Sequence, residues 1–124
     1  MLKLKTKWFN KWANKNSISD KVLIATIDNI SNDLHVVNLG GGLYKVRTPR
    51  IGAGKSGGYR TYVVHKKMDK AIFVFGFSKT DKDNLDKVEL KYFKKLAKDL
   101  LQISVKEYLR LEKLGSFIRL KEDT

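Results

Sequence analysis

The sequence predicts an α+β fold on three observations. Apolar residues recur with helical spacing near both ends of the chain, they alternate with period two through the middle, and the alternating segments are joined by links that suit an antiparallel meander. At 124 residues with 42% apolar side chains there is material for one hydrophobic core, so residues 1–124 are read as a single domain.

Trp8, Phe9 and Trp12 have the i, i+1, i+4 spacing of a short helix that turns aromatics to the core and ends near Asn16. Ser19 reads as the N-cap of a second helix, whose apolar face is Leu23, Ile27 and Ile30 and which stops near Asn32 or Asp33. Both tryptophans are expected in the core, not as ligand-stacking groups.

Three strands follow, at about residues 43–48, 59–66 and 71–78. A hairpin-length link joins the last two, and a longer, Gly-rich connection over residues 49–58 joins the first two. Phe73, Phe75 and Phe77 are two residues apart and are expected to share one core-facing side of the third strand.

Asp86 and Glu89 then form a capping box ahead of an amphipathic helix carrying Leu90, Phe93, Leu96, Ala97, Leu100 and Leu101, with lysines outward. A second box, Ser104 with Glu107, restarts the helix. Gly115 is its expected C-cap, and residues 116–124 are expected to be an edge strand or a flexible tail.

The formal net charge is +13, and its placement matters more than its size. Residues 83–124 mix both signs as an ordinary solvated helix surface does, whereas between Leu43 and Lys82 the only acids are Asp69 and Asp81. Seven of the nine glycines lie between Leu39 and Arg60, interleaved with Lys45, Arg47, Arg50, Lys55 and Arg60. A positive field concentrated over one sheet and its loop is the electrostatic footprint of nucleic-acid binding, with RNA the expected ligand.

Several chemistries are excluded. There is no cysteine, hence no disulfide, thiolate nucleophile or Cys-based metal site. Gly54-Lys55-Ser56 is not a Walker A loop: Pro49 stands where the first glycine is needed, and a strand follows where a helix N-terminus should hold phosphate. His35 and His65 are far apart with no carboxylate at ligand spacing, so no metal or other cofactor is expected. No apolar run approaches the ~20 residues that cross a bilayer, and no secretion signal opens the chain, which is expected in the cytoplasm and away from membranes.

What remains is a set of cations on strands. Period two turns Lys45 and Arg47 the same way on the first strand, and puts Arg60 on one side with Tyr62 and Val64 on the second; Lys79 ends the third. Paired as neighbours, Lys45, Arg47, Arg60 and Lys79 converge on one surface, with Arg50 and Lys55 on the loop above it. A lysine crowded by cations loses part of its preference for the charged form and can serve as a general base, while arginines stabilise a pentacoordinate phosphate. Attack of a ribose 2′-hydroxyl on the adjacent phosphate, without a metal, is chemically accessible to such a cluster. A surface that binds RNA without cutting it fits the composition equally.

Three motifs then coincide: Leu39-Gly40-Gly41-Gly42-Leu43-Tyr44-Lys45-Val46-Arg47; Gly52-x-Gly54-Lys55-Ser56-Gly57-Gly58-Tyr59-Arg60; and Phe73-Val74-Phe75-Gly76-Phe77-Ser78-Lys79 with Asn84-Leu85 shortly after. Together, from about Thr6 to Leu101, the chain resembles the HigB-type branch of the RelE/ParE toxins of bacterial type II toxin–antitoxin systems. The resemblance implies a compact antiparallel sheet packed against two N-terminal helices and a C-terminal helix. It also implies ribosome-dependent endoribonuclease cleavage of mRNA in the A site, translation arrest, and neutralisation by a cognate antitoxin. Operator DNA is implied as a ligand only of the toxin–antitoxin complex.

By position, the resemblance puts Lys45 and Arg47 among groove-lining cations, Arg60 at the phosphate-stabilising arginine, and Lys79 at the basic position closing the last core strand. Arg50, Lys55, Tyr59, Lys82 and Asn84 are assigned to RNA and phosphate contacts around them. Relatives that use a C-terminal tyrosine as acid or stacking group differ from this chain, which offers Lys82 and Asn84 but no tyrosine until Tyr92. The ParE type, which poisons DNA gyrase and does not cut RNA, is the alternative within the same superfamily.

Overall fold

In the computed structural model, which describes residues 1–52 and 57–122, a six-stranded sheet lies between two pairs of helices. The order along the chain is β1 (Leu2–Thr6), α1 (Lys7–Lys15), α2 (Asp20–Ser31), β2 (Val36–Gly40), β3 (Leu43–Thr48), β4 (Tyr59–Lys66), β5 (Lys70–Ser78), α3 (Lys87–Gln102), α4 (Val105–Lys113) and β6 (Phe117–Arg119). The strand order in the sheet is β2-β3-β4-β5-β1-β6. Strands β3 to β5 form the expected antiparallel meander, which β2 extends at its outer edge, while β1 runs parallel to β5 and antiparallel to β6.

The helix ends follow local chemistry. Ser19 accepts from the Val22 amide, Ser104 from the Glu107 amide, and Asp86 and Glu89 exchange backbone hydrogen bonds in a complete capping box. Thr6 caps α1 by accepting from the Phe9 amide. The second box starts a separate helix, α4, and Gly115 at φ +81° closes it in the left-handed conformation that suits glycine.

Two strands lie outside the sequence expectation. β2 is a largely exposed edge strand. In β1 the lysines alternate with leucines as if facing water, yet β1 is an interior strand and Lys5 is buried, its ammonium 2.8 Å from the Asp20 carboxylate at the start of α2. The other oxygen of Asp20 accepts from the Lys121 amide, so one carboxylate ties the first strand, the second helix and the tail together.

The core has two halves, one on each side of the sheet. Phe9, Leu23, Ile27, Val46, Val63 and Phe73 fill the half under α1 and α2, and Leu43, Tyr62, Val64, Ile72, Phe77, Phe93 and Tyr108 the half under α3 and α4. This division corrects the expectation that Phe73, Phe75 and Phe77 share a side. A bulge in β5, where Tyr62 pairs Phe75 but Val63 pairs Phe73, inserts Val74 and reverses the alternation. Phe73 packs 5.0 Å from Phe9 under α1, whereas Phe75 and Phe77 turn to the α3 side with Tyr62.

Beyond the bulge Gly76 falls on the α1 side, directly beneath Trp12, where an added Cβ would stand 2.5 Å from the indole. Trp12 has little room to yield, being packed against Phe9 at 5.2 Å and Tyr59 at 5.4 Å. Gly76→Ala is therefore expected to destabilise the fold by about 1–3 kcal/mol, the range for overpacking a tight contact. Urea unfolding should show a lower midpoint at unchanged slope; an unchanged midpoint would mean that Trp12 moves aside at no cost.

Beneath the sheet, Thr26, Thr48 and Thr61 form a buried hydroxyl chain, 3.3 Å and 2.9 Å apart, that ends on the Val46 carbonyl at 2.7 Å. It bonds α2 to the backs of β3 and β4, the strands carrying Lys45, Arg47 and Arg60. No helix among the described residues is long and apolar enough to cross a membrane.

Candidate functional site

The register brings the strand cations together. Arg47 stands directly across from Arg60 and Lys45 directly across from Tyr62, all four on the α3 side of the sheet. Like charges opposite one another in a sheet oppose folding, so this pairing is a cost that an anionic ligand would offset. Gly58 leaves room for it: a Cβ there would stand 2.8 Å from the Arg47 guanidinium.

Each cation has a distinct setting. Lys45 is half-buried and donates a 2.9 Å hydrogen bond to the Asn84 side-chain oxygen. Burial first, and then the Arg60 guanidinium, hold its pKa below the usual lysine value. Arg60 is half-buried, and its Nε is shielded from solvent with no hydrogen-bond partner among the described residues. Tyr62 is 1% exposed and its hydroxyl meets the Leu85 backbone amide. Burial raises its pKa against the opposing pulls of Leu85 and Arg60, which keeps the phenol protonated.

The segment after β5 folds back over this face. Asn84, Leu85 and Leu90 join Leu39, Lys45 and Tyr62 around a cleft of about 190 Å³. Lys82 bonds Glu89, while its ammonium lies 5.5 Å above the Phe77 ring. The carboxylate that reaches this network is thus held by Lys82 and by the α3 cap; its pKa is lowered first by the Lys82 hydrogen bond, then by the Asp86 backbone amide.

Of the residues anticipated from sequence, Lys45, Arg47, Arg60 and Asn84 are brought to one surface, and Lys82 to its margin. Lys79 is exposed in the turn one residue beyond β5 and makes no hydrogen bond or ion pair with the cluster among the described residues. Lys55 lies outside the described residues. Two assignments need correction. Tyr59 is 5% exposed on the opposite side of the sheet, with its ring edge-on to Trp12, because adjacent strand residues point to opposite faces. Arg50 lies on that side as well, in a cleft of about 430 Å³ with Lys15, Ser17 and Tyr59.

Sequence reasoning placed neither Tyr62 nor Glu89 among the site residues. Tyr62 was findable, being two residues from Arg60 on the same face. Glu89 was recognisable only as a cap, since its contact with Lys82 depends on how residues 79–86 fold. His65 is buried edge-on to Tyr44 at 5.7 Å, and burial lowers its pKa, which fits a neutral core histidine. Among the described residues no group of three or more His, Asp or Glu is placed to hold a metal ion.

A cationic face on a meander, roofed by a capped helix, is an architecture suited to holding a phosphodiester. Comparison with curated proteins finds no match. The family model for the RelE toxin of the RelE/RelB toxin–antitoxin system matches residues 1–120, nearly the whole chain, and the chain accordingly belongs to the RelE toxin family.

Proposed function

We propose that this toxin is a ribosome-dependent mRNA endoribonuclease of the HigB-type branch, acting in the cytoplasm on mRNA in the A site and held in check by a cognate antitoxin. Toxins of the family are generally endoribonucleases. The observation that carries the reading for this chain is Lys45, an amine on a sheet face shared with Arg47 and Arg60, its charged form disfavoured by burial and by Arg60. Residues 1–124 act as one toxin unit without a cofactor, and operator DNA is contacted only by the toxin–antitoxin complex.

In the proposed step Lys45 takes the proton from a ribose 2′-hydroxyl. The 2′-oxygen then attacks the neighbouring phosphorus, and the bond to the 5′-oxygen of the next nucleotide breaks, leaving a 2′,3′-cyclic phosphate. Arg60 and Arg47 carry the extra negative charge of the pentacoordinate phosphorane. The departing 5′-oxygen takes its proton from Lys79 or from solvent, and Asn84 orients the Lys45 amine. Lys82 lines the exit of the RNA strand, with Lys55 as an outer phosphate contact.

The test is induction of the chain in growing bacteria with mapping of mRNA 5′ ends, beside Lys45→Arg. Arginine keeps the charge but stays protonated, so it binds RNA without serving as a base. New cleavage sites in translated mRNA that fall about 10²–10⁴-fold in the variant are expected, the usual contribution of a general base. Cleavage undiminished in Lys45→Arg would remove Lys45 as the base. Growth arrest with intact mRNA would favour a gyrase poison or passive ribosome blockade, and unimpeded growth an RNA-binding module without catalysis.

A further inference from the structure

The turn between α1 and α2 and the start of the β3–β4 connection enclose a cleft of about 430 Å³, on the side of the sheet away from the Lys45–Arg60 cluster. That volume is of the size common for small-ligand sites. Lys15 and Arg50 are its exposed cations, Ile18, Val22 and Ile51 its apolar walls, and no acid lines it. Arg50, on the opposite side from the strand cations, thus belongs to a second positive site.

The wall formed by the turn is fixed before any ligand arrives. The Ile18 amide bonds the Ala13 carbonyl at 2.9 Å, the Asn16 side chain donates to the Trp12 carbonyl at 2.8 Å, and Ser17 is held between them at φ +56°. A preformed wall lowers the ordering cost of binding. One polar group in this frame has no structural use. Tyr59 lines the cleft and is 5% exposed, yet its hydroxyl has no hydrogen-bond partner among the described residues. Nor is it among the unpaired atoms sealed from solvent, which are Arg60 Nε and His65 Nε2, so it opens toward the cleft. A nearly buried phenol hydroxyl normally finds a partner, and here the space for one is the cleft itself.

Positive charge, a free donor and apolar walls together select an anion with a flat, apolar body. Arg50 offers paired N–H groups that match two phosphate oxygens, and Lys15 adds a second charge. A phosphosugar would set its hydroxyls against Ile18 and Val22, where they find no partner. A longer RNA strand leaving over α2 would meet Asp20 and Asp28 against a single lysine, Lys21. The chemistry that remains is that of one nucleotide.

We propose that the cleft binds a free nucleoside monophosphate, its phosphate on Arg50 and Lys15 with the Tyr59 hydroxyl donating to it, and its base between Ile18, Val22 and Ile51. The site uses none of Lys45, Arg47, Arg60 and Asn84, and it stands whether or not the toxin cuts RNA.

The probes are AMP, GMP, CMP and UMP, each titrated into the whole chain carrying Arg60→Ala, which weakens nucleotide binding at the strand cluster. Amide shifts in NMR spectra locate the ligand, and saturable changes at Ser17, Ile18 and Arg50 are expected with at least one nucleotide. Arg50→Ala should weaken that binding at least about tenfold, the usual worth of a hydrogen bond to a charged group. Tyr59→Phe should weaken it about threefold or more at an unchanged thermal midpoint, since the hydroxyl bonds nothing in the free protein. Inorganic phosphate and the matching nucleoside should each bind far more weakly than the nucleotide.

No saturable shift at the turn with any of the four, shifts confined to Lys45 and Asn84, or undiminished affinity in Arg50→Ala or Tyr59→Phe would overturn the proposal. So would equal affinity for inorganic phosphate, or displacement of the nucleotide by a single-stranded RNA oligonucleotide, which would assign the cleft to RNA. No readout here involves cleavage, so failure of this site and failure of the ribonuclease reading register separately.

Discussion

Arg60→Ala is expected to lower the rate of mRNA cleavage by roughly 10²–10³-fold, the cost of removing one preorganised group from the developing oxyanion. Two effects combine. In the proposed mechanism the phosphorane loses its guanidinium, and Lys45 loses one of the two causes of its lowered pKa. With Arg60 gone, the Lys45 pKa moves back up toward the ordinary lysine value, so less neutral amine is present at any pH below it. The rise of residual activity with pH should therefore be displaced to higher pH in Arg60→Ala than in the parent chain. Single-turnover cleavage on programmed ribosomes across a pH series measures both effects. Folding should not suffer, because Arg60 stands across from Arg47 and keeps a buried Nε without a partner among the described residues. A thermal midpoint at or above that of the parent is expected, the reverse of what a structural role would give. Cleavage within threefold of the parent, at an unshifted pH dependence, would remove Arg60 from the site.

The parts of this molecule that could be read from sequence are those decided within a few residues. Ser19, Asp86 with Glu89, and Ser104 cap helices through bonds spanning three positions, and each is found in place. The shared side of Lys45, Arg47 and Arg60 follows from the two-residue period of a strand, and the register adds only that Arg47 and Arg60 are exact neighbours across it. The same period should have sent Tyr59 to the opposite side from Arg60, where the structure has it. The illegible parts are those settled by distant partners. β1 reads as a solvated segment because its lysines alternate, and only Asp20, fifteen residues on, makes a buried Lys5 tolerable. Asn84 reaches Lys45 across thirty-nine residues of chain, and no local pattern encodes that contact. Nor does a bulge announce itself when every neighbouring residue is apolar, as in Ala71-Ile72-Phe73-Val74-Phe75.

That bulge separates residues which look equivalent in sequence, and Phe73→Ala is expected to cost about 3–5 kcal/mol, the range for truncating a fully enclosed phenylalanine. Phe73 is 0% exposed, packed against Phe9 between the sheet and α1. Phe75 is half-buried beside the exposed Trp8, on the opposite side, and its truncation is expected to cost only roughly half as much because solvent can relax into the space. Had the strand kept strict alternation, the two phenylalanines would share one core and the two costs would be alike; equal values from urea unfolding would refute the bulge. Against a typical total of about 5–15 kcal/mol, the larger loss leaves Phe73→Ala marginal, so its growth arrest should disappear through loss of folded protein. Phe75→Ala should instead remain folded and toxic. The reversal of side also reaches the site itself. It is the bulge that carries Phe77 to the α3 face opposite Arg60, where its ring lies beneath the Lys82 ammonium, and that leaves Gly76 on the other face as the position Trp12 covers. One inserted residue thus sets both the floor beneath the cations and the packing of the first helix, and neither can change without the other.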